Sequence, residues 1–155
     1  MVLVQKWTHD AAAFEGLPIE EQEKVIGRTK ATSTELAEEV RGPQSHVSRT
    51  TIEEHGVEQH IFRRNTPFGT ATEHGTMFIG FSSDQRRLVR MLARMAGAED
   101  GIRDALTRYT TAVSGAYYFV RQSQNAISTL SEVFLQNHAS PSRLRTTRKT
   151  KSVMN

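Results

Sequence analysis

Hydrophobic positions fall into short blocks along the first 120 residues, and their spacing switches between the two-residue period of strands and the 3.6-residue period of helices. Val2 to Trp7 is short and β-rich and predicts a strand. Asp10 is placed to cap a brief helix reaching Phe14. A second helix is expected from Pro18, a favoured first-turn residue, with Glu20, Glu21 and Glu23 near its positive end. Val25 and Ile26 form its buried edge, and Gly27 ends it. Thr32 and Glu35 have the spacing of a capping box and predict a short helix with Leu36 and Val40 on one face.

Gly42-Pro43 breaks the chain, and a loop carrying Ser45-His46-Val47 is expected after it. Thr50 to Ile52 and Gln59 to Arg64 read as extended segments joined by a turn at Glu54-His55-Gly56; Pro67-Phe68-Gly69 reads as another turn. In the strand Thr76 to Phe81, Met77, Ile79 and Phe81 share one face and Thr76, Phe78 and Gly80 the other. Ser82-Ser83-Asp84 caps the clearest helix, in which Leu88, Met91, Leu92, Met95 and Ala96 recur at helical spacing before Gly97 stops it. Its methionines read as core filler. Another helix is expected from Gly101 to Val113, followed by a strand over Ala116 to Val120.

This order of elements predicts an α+β, ferredoxin-like domain over residues 1–120, an antiparallel sheet with helices packed on one face. An extra helix is expected over 121–140, through Ile127, Leu130, Val133 and Phe134, and a disordered basic tail over 141–155.

Composition narrows the chemistry. The chain has 155 residues, 37% hydrophobic and 24% charged, as in a soluble globular protein. It has no cysteine, which excludes disulfides, thiolate nucleophiles and Cys-ligated zinc or haem. The sequence holds no run of about 18 apolar residues, so no membrane span is expected, and its apolar start is too short for a secretory signal. A cytoplasmic protein is expected. The net charge is +3, but Arg143, Arg145, Arg148, Lys149 and Lys151 lie in the last fifteen residues. Without those five, 15 basic residues face 17 acidic ones, a body of −2, so nucleic-acid binding is not expected.

Six histidines are present, none in an HExxH pair, and there is no Gly-rich phosphate loop and no Gly-x-Ser-x-Gly elbow. Taken singly, His46 reads as a structural histidine, and Arg63-Arg64 as a solvated strand end.

Together the pieces say more. Val4-Gln5-Lys6-Trp7-Thr8-His9-Asp10 is followed by Glu20-Glu21-Gln22-Glu23 and Ile26-Gly27-Arg28-Thr29-Lys30. Then come Ser45-His46-Val47, Arg63-Arg64-Asn65-Thr66-Pro67-Phe68-Gly69, Gly75-Thr76-Met77-Phe78-Ile79-Gly80-Phe81 and Thr111-Ala112-Val113-Ser114-Gly115-Ala116-Tyr117-Tyr118-Phe119. In this order and spacing the chain resembles the C-terminal half of the bacterial short forms of dye-decolourising peroxidases.

The resemblance implies haem b as cofactor, with His46 as its axial ligand; neutral imidazole is a good ligand for ferric iron. A carboxylate should hold the other ring nitrogen, with Asp104 the first choice and Glu58 the second. Arg63 and Asn65 match the distal arginine and asparagine, and Arg28 a contact to a haem propionate. Thr76, Phe78 and Phe68 would wall the porphyrin. The implied activity is reduction of hydrogen peroxide coupled to oxidation of an aromatic or dye-like donor. The family also has a first half, with a Gly-x-x-Asp-Gly segment that this chain lacks, so the chain is expected to be incomplete by itself. The partners expected are a second copy or a separately encoded N-terminal half. The alternative is a non-catalytic ferredoxin-like module that binds haem weakly or only pairs with a partner chain.

Overall fold

The computed structural model describes residues 1–70 and 72–120. The helix expected over 121–140 and the tail expected over 141–155 lie outside the described residues.

Four strands form one antiparallel sheet: β1 (Val2–His9), β4 (Phe62–Gly69), β5 (His74–Phe81) and β6 (Thr110–Tyr118), in the order β4-β5-β1-β6. A small hairpin pairs β2 (Glu53–Glu54) with β3 (Val57–Glu58). β1 and β4 both run antiparallel to β5 between them and so parallel to each other; β5 and β6 are related in the same way across β1. Two β-α-β units therefore interleave, which is the ferredoxin-like topology. One row crosses the whole sheet, Phe62 opposite Phe81, Phe81 opposite Val2, and Val2 opposite Tyr118. Where Lys6 pairs with Ser114 and Trp7 with Ala112, Val113 is the extra residue of a bulge in β6.

The helices arise where caps and apolar spacing agree. Asp10 accepts from the Ala13 N–H and starts α1 (Ala11–Glu15). α2 (Ile19–Ile26) follows Pro18 and ends at Gly27 with φ +92°. Asp84 caps α5 (Gln85–Ala96), and Gly97 closes it in the left-handed region. Leu88 and Met91 of α5 pack with Leu3, Ile52 and Ile61 to form the core on one face of the sheet. Among the described residues no helix is long and apolar enough to cross a membrane.

Four local expectations need correction. Thr32 and Glu35 cap no helix. The Thr32 hydroxyl is shared with those of Thr29 and Thr34, and Glu35 bridges to Arg28, so the helix α3 begins only at Glu38 and runs to Arg41. The segment after Pro43 is not a loop throughout: Ser45 caps a short helix α4 (His46–Thr50). Pro67 to Gly69 continues β4; at the sheet edge a proline without an N–H is tolerated. The helix expected over 101–113 is a 3-10 turn at Ala105–Arg108, and the strand begins at Thr110.

Candidate functional site

The site is organised by α4. Ser45 is fully buried, and its hydroxyl accepts from the Ser48 N–H, fixing the helix start. Gly27 lies against that start. A Cβ on Gly27 would come within 3.0 Å of Val47 Cβ and 3.1 Å of Ser45 Oγ, so the residue that ends α2 also lets α4 approach. His46 is the first residue of α4.

His46 Nδ1 lies 2.7 Å from Asp104 Oδ2. Asp104 is 1% exposed, and its Oδ1 accepts from the Leu106 N–H at 2.9 Å. A carboxylate only accepts, so Nδ1 carries the proton of this bond, and in the neutral imidazole Nε2 then presents the lone pair. Nε2 makes no hydrogen bond among the described residues. Glu58, the other candidate, sits on the exposed hairpin, 3.6 Å from His60.

His46 opens on a cleft of about 350 Å³ between the helices and the sheet. That is within the roughly 300–1,000 Å³ of ligand pockets, at the low end. The sheet supplies Trp7, Thr76, Phe78, Arg63 and Asn65, and the helical side Ile26, His46, Thr50 and Leu106. Strand alternation brings Arg63 and Asn65 to this face together. Arg63 Nη2 donates to the Thr50 carbonyl at 2.8 Å, tying β4 to the far end of α4. Burial pushes the Arg63 pKa down, with Glu58 pulling the other way. Arginine starts so high that the guanidinium keeps its charge. Burial also pushes His9, on the same cleft, below its ordinary value.

Of the residues named from sequence, the structure brings His46, Arg63, Asn65, Thr76 and Phe78 around one cleft, with Asp104 behind His46. Phe68 is placed otherwise. It pairs with Gly75 in the row that faces away from Thr76 and Phe78, and its ring lies under Lys6 Nζ at 4.7 Å. It therefore does not wall this cleft. Arg28 lies outside the lining and donates to Ser33 O at 2.9 Å and Glu35 Oε2 at 3.2 Å. Gln5, Trp7 and His9 were not singled out, although their i, i+2, i+4 spacing on β1 puts all three on the cleft.

Comparison with known proteins fits this arrangement. The family described as Dyp-type peroxidase, C-terminal, matches residues 1–125. The dye-decolorizing peroxidase of Brevibacterium linens is 42% identical over 123 residues, covering 77% of this chain and 34% of that protein. That of Mycobacterium tuberculosis is 41% identical over 122 residues, 76% of this chain and 36% of the relative. Among solved structures, a dye-decolorizing protein from V. cholerae superposes with a TM-score of 0.74 at 39% identity, covering 88% of this chain and 43% of that one. A variant of Rhodococcus jostii DypB in complex with heme gives 0.75 at 41% identity, covering 83% of this chain and 43% of the other. The chain thus spans about a third of the length of these curated relatives. With its ferredoxin-like fold and a match running from the first residue through the last described strand, the chain belongs to the Dyp-type peroxidase family and corresponds to its C-terminal portion.

Proposed function

We propose that this chain forms the iron-ligand side of a haem peroxidase site, in which His46 would coordinate the iron. The observation that carries the reading is the Nδ1 hydrogen bond to buried Asp104, which leaves Nε2 as a donor atom on a cleft shared with Arg63 and Asn65. The donor set suits haem: one imidazole with a fixed tautomer, an apolar wall including Phe78, and a cation on the opposite side. Bound haem b would supply the redox chemistry that reduces hydrogen peroxide and oxidises an aromatic or dye-like donor.

The side chains do the rest. Asp104 orients the His46 ring and strengthens Nε2 as a ligand. Arg63 presents a permanent positive charge that stabilises the negative charge developing as the peroxide O–O bond breaks. Asn65 orients peroxide or water by hydrogen bonding. Arg28 already holds a carboxylate, Glu35, and would exchange it for a propionate. Thr76 and Phe78, which line the cleft, would wall the porphyrin.

The test is a haemin titration of the full chain followed in the Soret region. His46→Ala is expected to abolish the ligand-field signature of histidine coordination. A variant spectrum and affinity unchanged from the parent would defeat the ligand assignment.

The small volume of the cleft, about 350 Å³, favours a second reading, a non-catalytic module that binds haem weakly or only pairs with a partner chain. Both readings call for a partner at the open sheet face, where Phe62 is 66% and Tyr118 54% exposed: a second copy or a separately encoded N-terminal half. Peroxide turnover by haem-loaded chain, alone and with such a partner, separates the two readings.

A further inference from the structure

We infer that Arg49 is a positioning residue that locks the His46–Asp104 pair; the inference rests on the haem-pocket reading of His46. Arg49 is 2% exposed and lies three residues beyond His46 on α4. Its Nε and Nη2 donate to the Arg94 carbonyl at 3.0 and 2.9 Å. Its Nη1 and Nη2 form a two-pronged pair with Asp100, both contacts at 2.8 Å. Arg94 answers from the other side, donating to Ser48 O at 2.8 Å and Arg49 O at 3.3 Å. Each guanidinium thus satisfies carbonyls at the C-terminal end of the other's helix, groups that a helix leaves without partners.

Asp100 carries the link onward. Its Oδ1 also accepts from the Ile102 N–H at 3.0 Å, which shapes the segment leading to Asp104. The Asp104 N–H is itself held by Met95 O at 3.0 Å. His46 and Asp104 are 58 residues apart in the chain, so their 2.7 Å contact exists only while α4 and the 100–104 segment keep one relative position. Arg49 spans those two pieces. A buried arginine is costly to desolvate, and an apolar side chain could fill the same volume. A planar fork, however, makes two bonds to the carbonyl and two to the carboxylate at once, a geometry that neither an apolar chain nor the single ammonium of lysine reproduces.

The test uses the full chain carrying Arg49→Lys, and separately Asp100→Asn, whose partly exposed side chain makes it the milder change. The readout is the His46 tautomer, followed by nitrogen-15 NMR without haemin, and haemin affinity beside it. Both variants are expected to lose the uniform Nδ1–H tautomer and to bind haemin about tenfold more weakly. Ile61→Ala, a core change that removes none of the link's hydrogen bonds, is expected to lower stability without moving the tautomer. An unchanged tautomer in folded Asp100→Asn, with unchanged haemin affinity, would overturn the positioning role. A shifted tautomer in a chain that takes up no haemin would support the lock and defeat the pocket reading alone.

Discussion

At the scale of single residues, the imidazole–carboxylate pair sets what the cleft can do. Asp104 has two tasks, one oxygen on His46 and the other on the Leu106 N–H. Asp104→Asn keeps a carbonyl oxygen for the N–H while removing the charge that polarises the ring. Haemin affinity is expected to fall 10–100-fold, by spectrophotometric titration, with the fold retained. Arg63 makes the opposite kind of contribution. Its loss leaves the carbonyl of buried Thr50 without its guanidinium donor, so stability should fall by about 1–3 kcal/mol. Peroxide turnover by the haem-loaded protein should drop much further, by roughly 10²–10³, as when one charge-stabilising donor is removed. Stopped-flow mixing with peroxide, beside thermal melts, checks both halves. The cleft residues were legible to different degrees. Arg63 and Asn65 follow from alternation within one short segment. Pro67-Phe68-Gly69 looks like a turn in sequence, yet β4 runs through it, and alternation sends Phe68 to the far face. Between Asp104 and Glu58 no local pattern decides, because the contact closes over 58 residues.

At the scale of elements, α4 is small and held from outside, at its start by Gly27 and at its end by Arg94, while its own Arg49 reaches out to the Arg94 carbonyl and Asp100. Gly27→Ala would put a side chain at φ +92° and push it into Val47 and Ser45. The left-handed conformation alone costs an ordinary residue about 1–2 kcal/mol. Denaturant unfolding should show at least that loss, and haemin affinity should fall with it as α4 is displaced. The Arg49–Asp100 link predicts a pH dependence. Hydrogen bonds from Arg49, then from the Ile102 N–H, hold the Asp100 carboxyl below its ordinary value of 3.8. Its folded pKa is depressed, so the unfolded chain takes the proton first as pH falls. The stabilisation is therefore present above the ordinary value and is lost as pH drops through the folded one. Melting temperatures of the parent and Asp100→Asn should differ most above about pH 5 and converge as pH falls below the ordinary value of 3.8 and through the folded one. The elements that patterning found are those whose caps and core face coincide, α5 above all. The failed helix over 101–113 shows the converse. Ile102, Ala105, Leu106, Tyr109 and Val113 have helical spacing, yet Asp104 caps only a 3-10 turn. The β-branched run from Thr110 then pairs along β1.

At the scale of the whole molecule, the helices among the described residues pack on one face of the sheet and leave the other to be covered from elsewhere, and that other face is not uniformly polar. Antiparallel sheets that meet water usually alternate apolar-in with polar-out. Here the row Phe62, Phe81, Val2 and Tyr118 points away from α5, and the next row adds Ile79, Val4 and Ala116 beside Arg64. Only further along do Thr66, Lys6 and Ser114 turn the face polar. The Phe62 and Phe81 rings are paired at 5.9 Å and remain 66% and 41% exposed, so one end of the face is a sticky apolar strip. Strand alternation alone exposed this feature, since Met77, Ile79 and Phe81 had to lie opposite Thr76, Phe78 and Gly80. What covers the strip is a question of association rather than of fold. If a second copy covers it, sedimentation velocity of the full chain should show concentration-dependent assembly, and a Phe62→Lys, Phe81→Lys double variant should sediment as a monomer with an unchanged far-UV circular dichroism spectrum. These side chains support no core residue across the sheet, so a charge at each should break association while leaving folding intact. A parent chain that stays monomeric at every concentration would exclude self-pairing through that face.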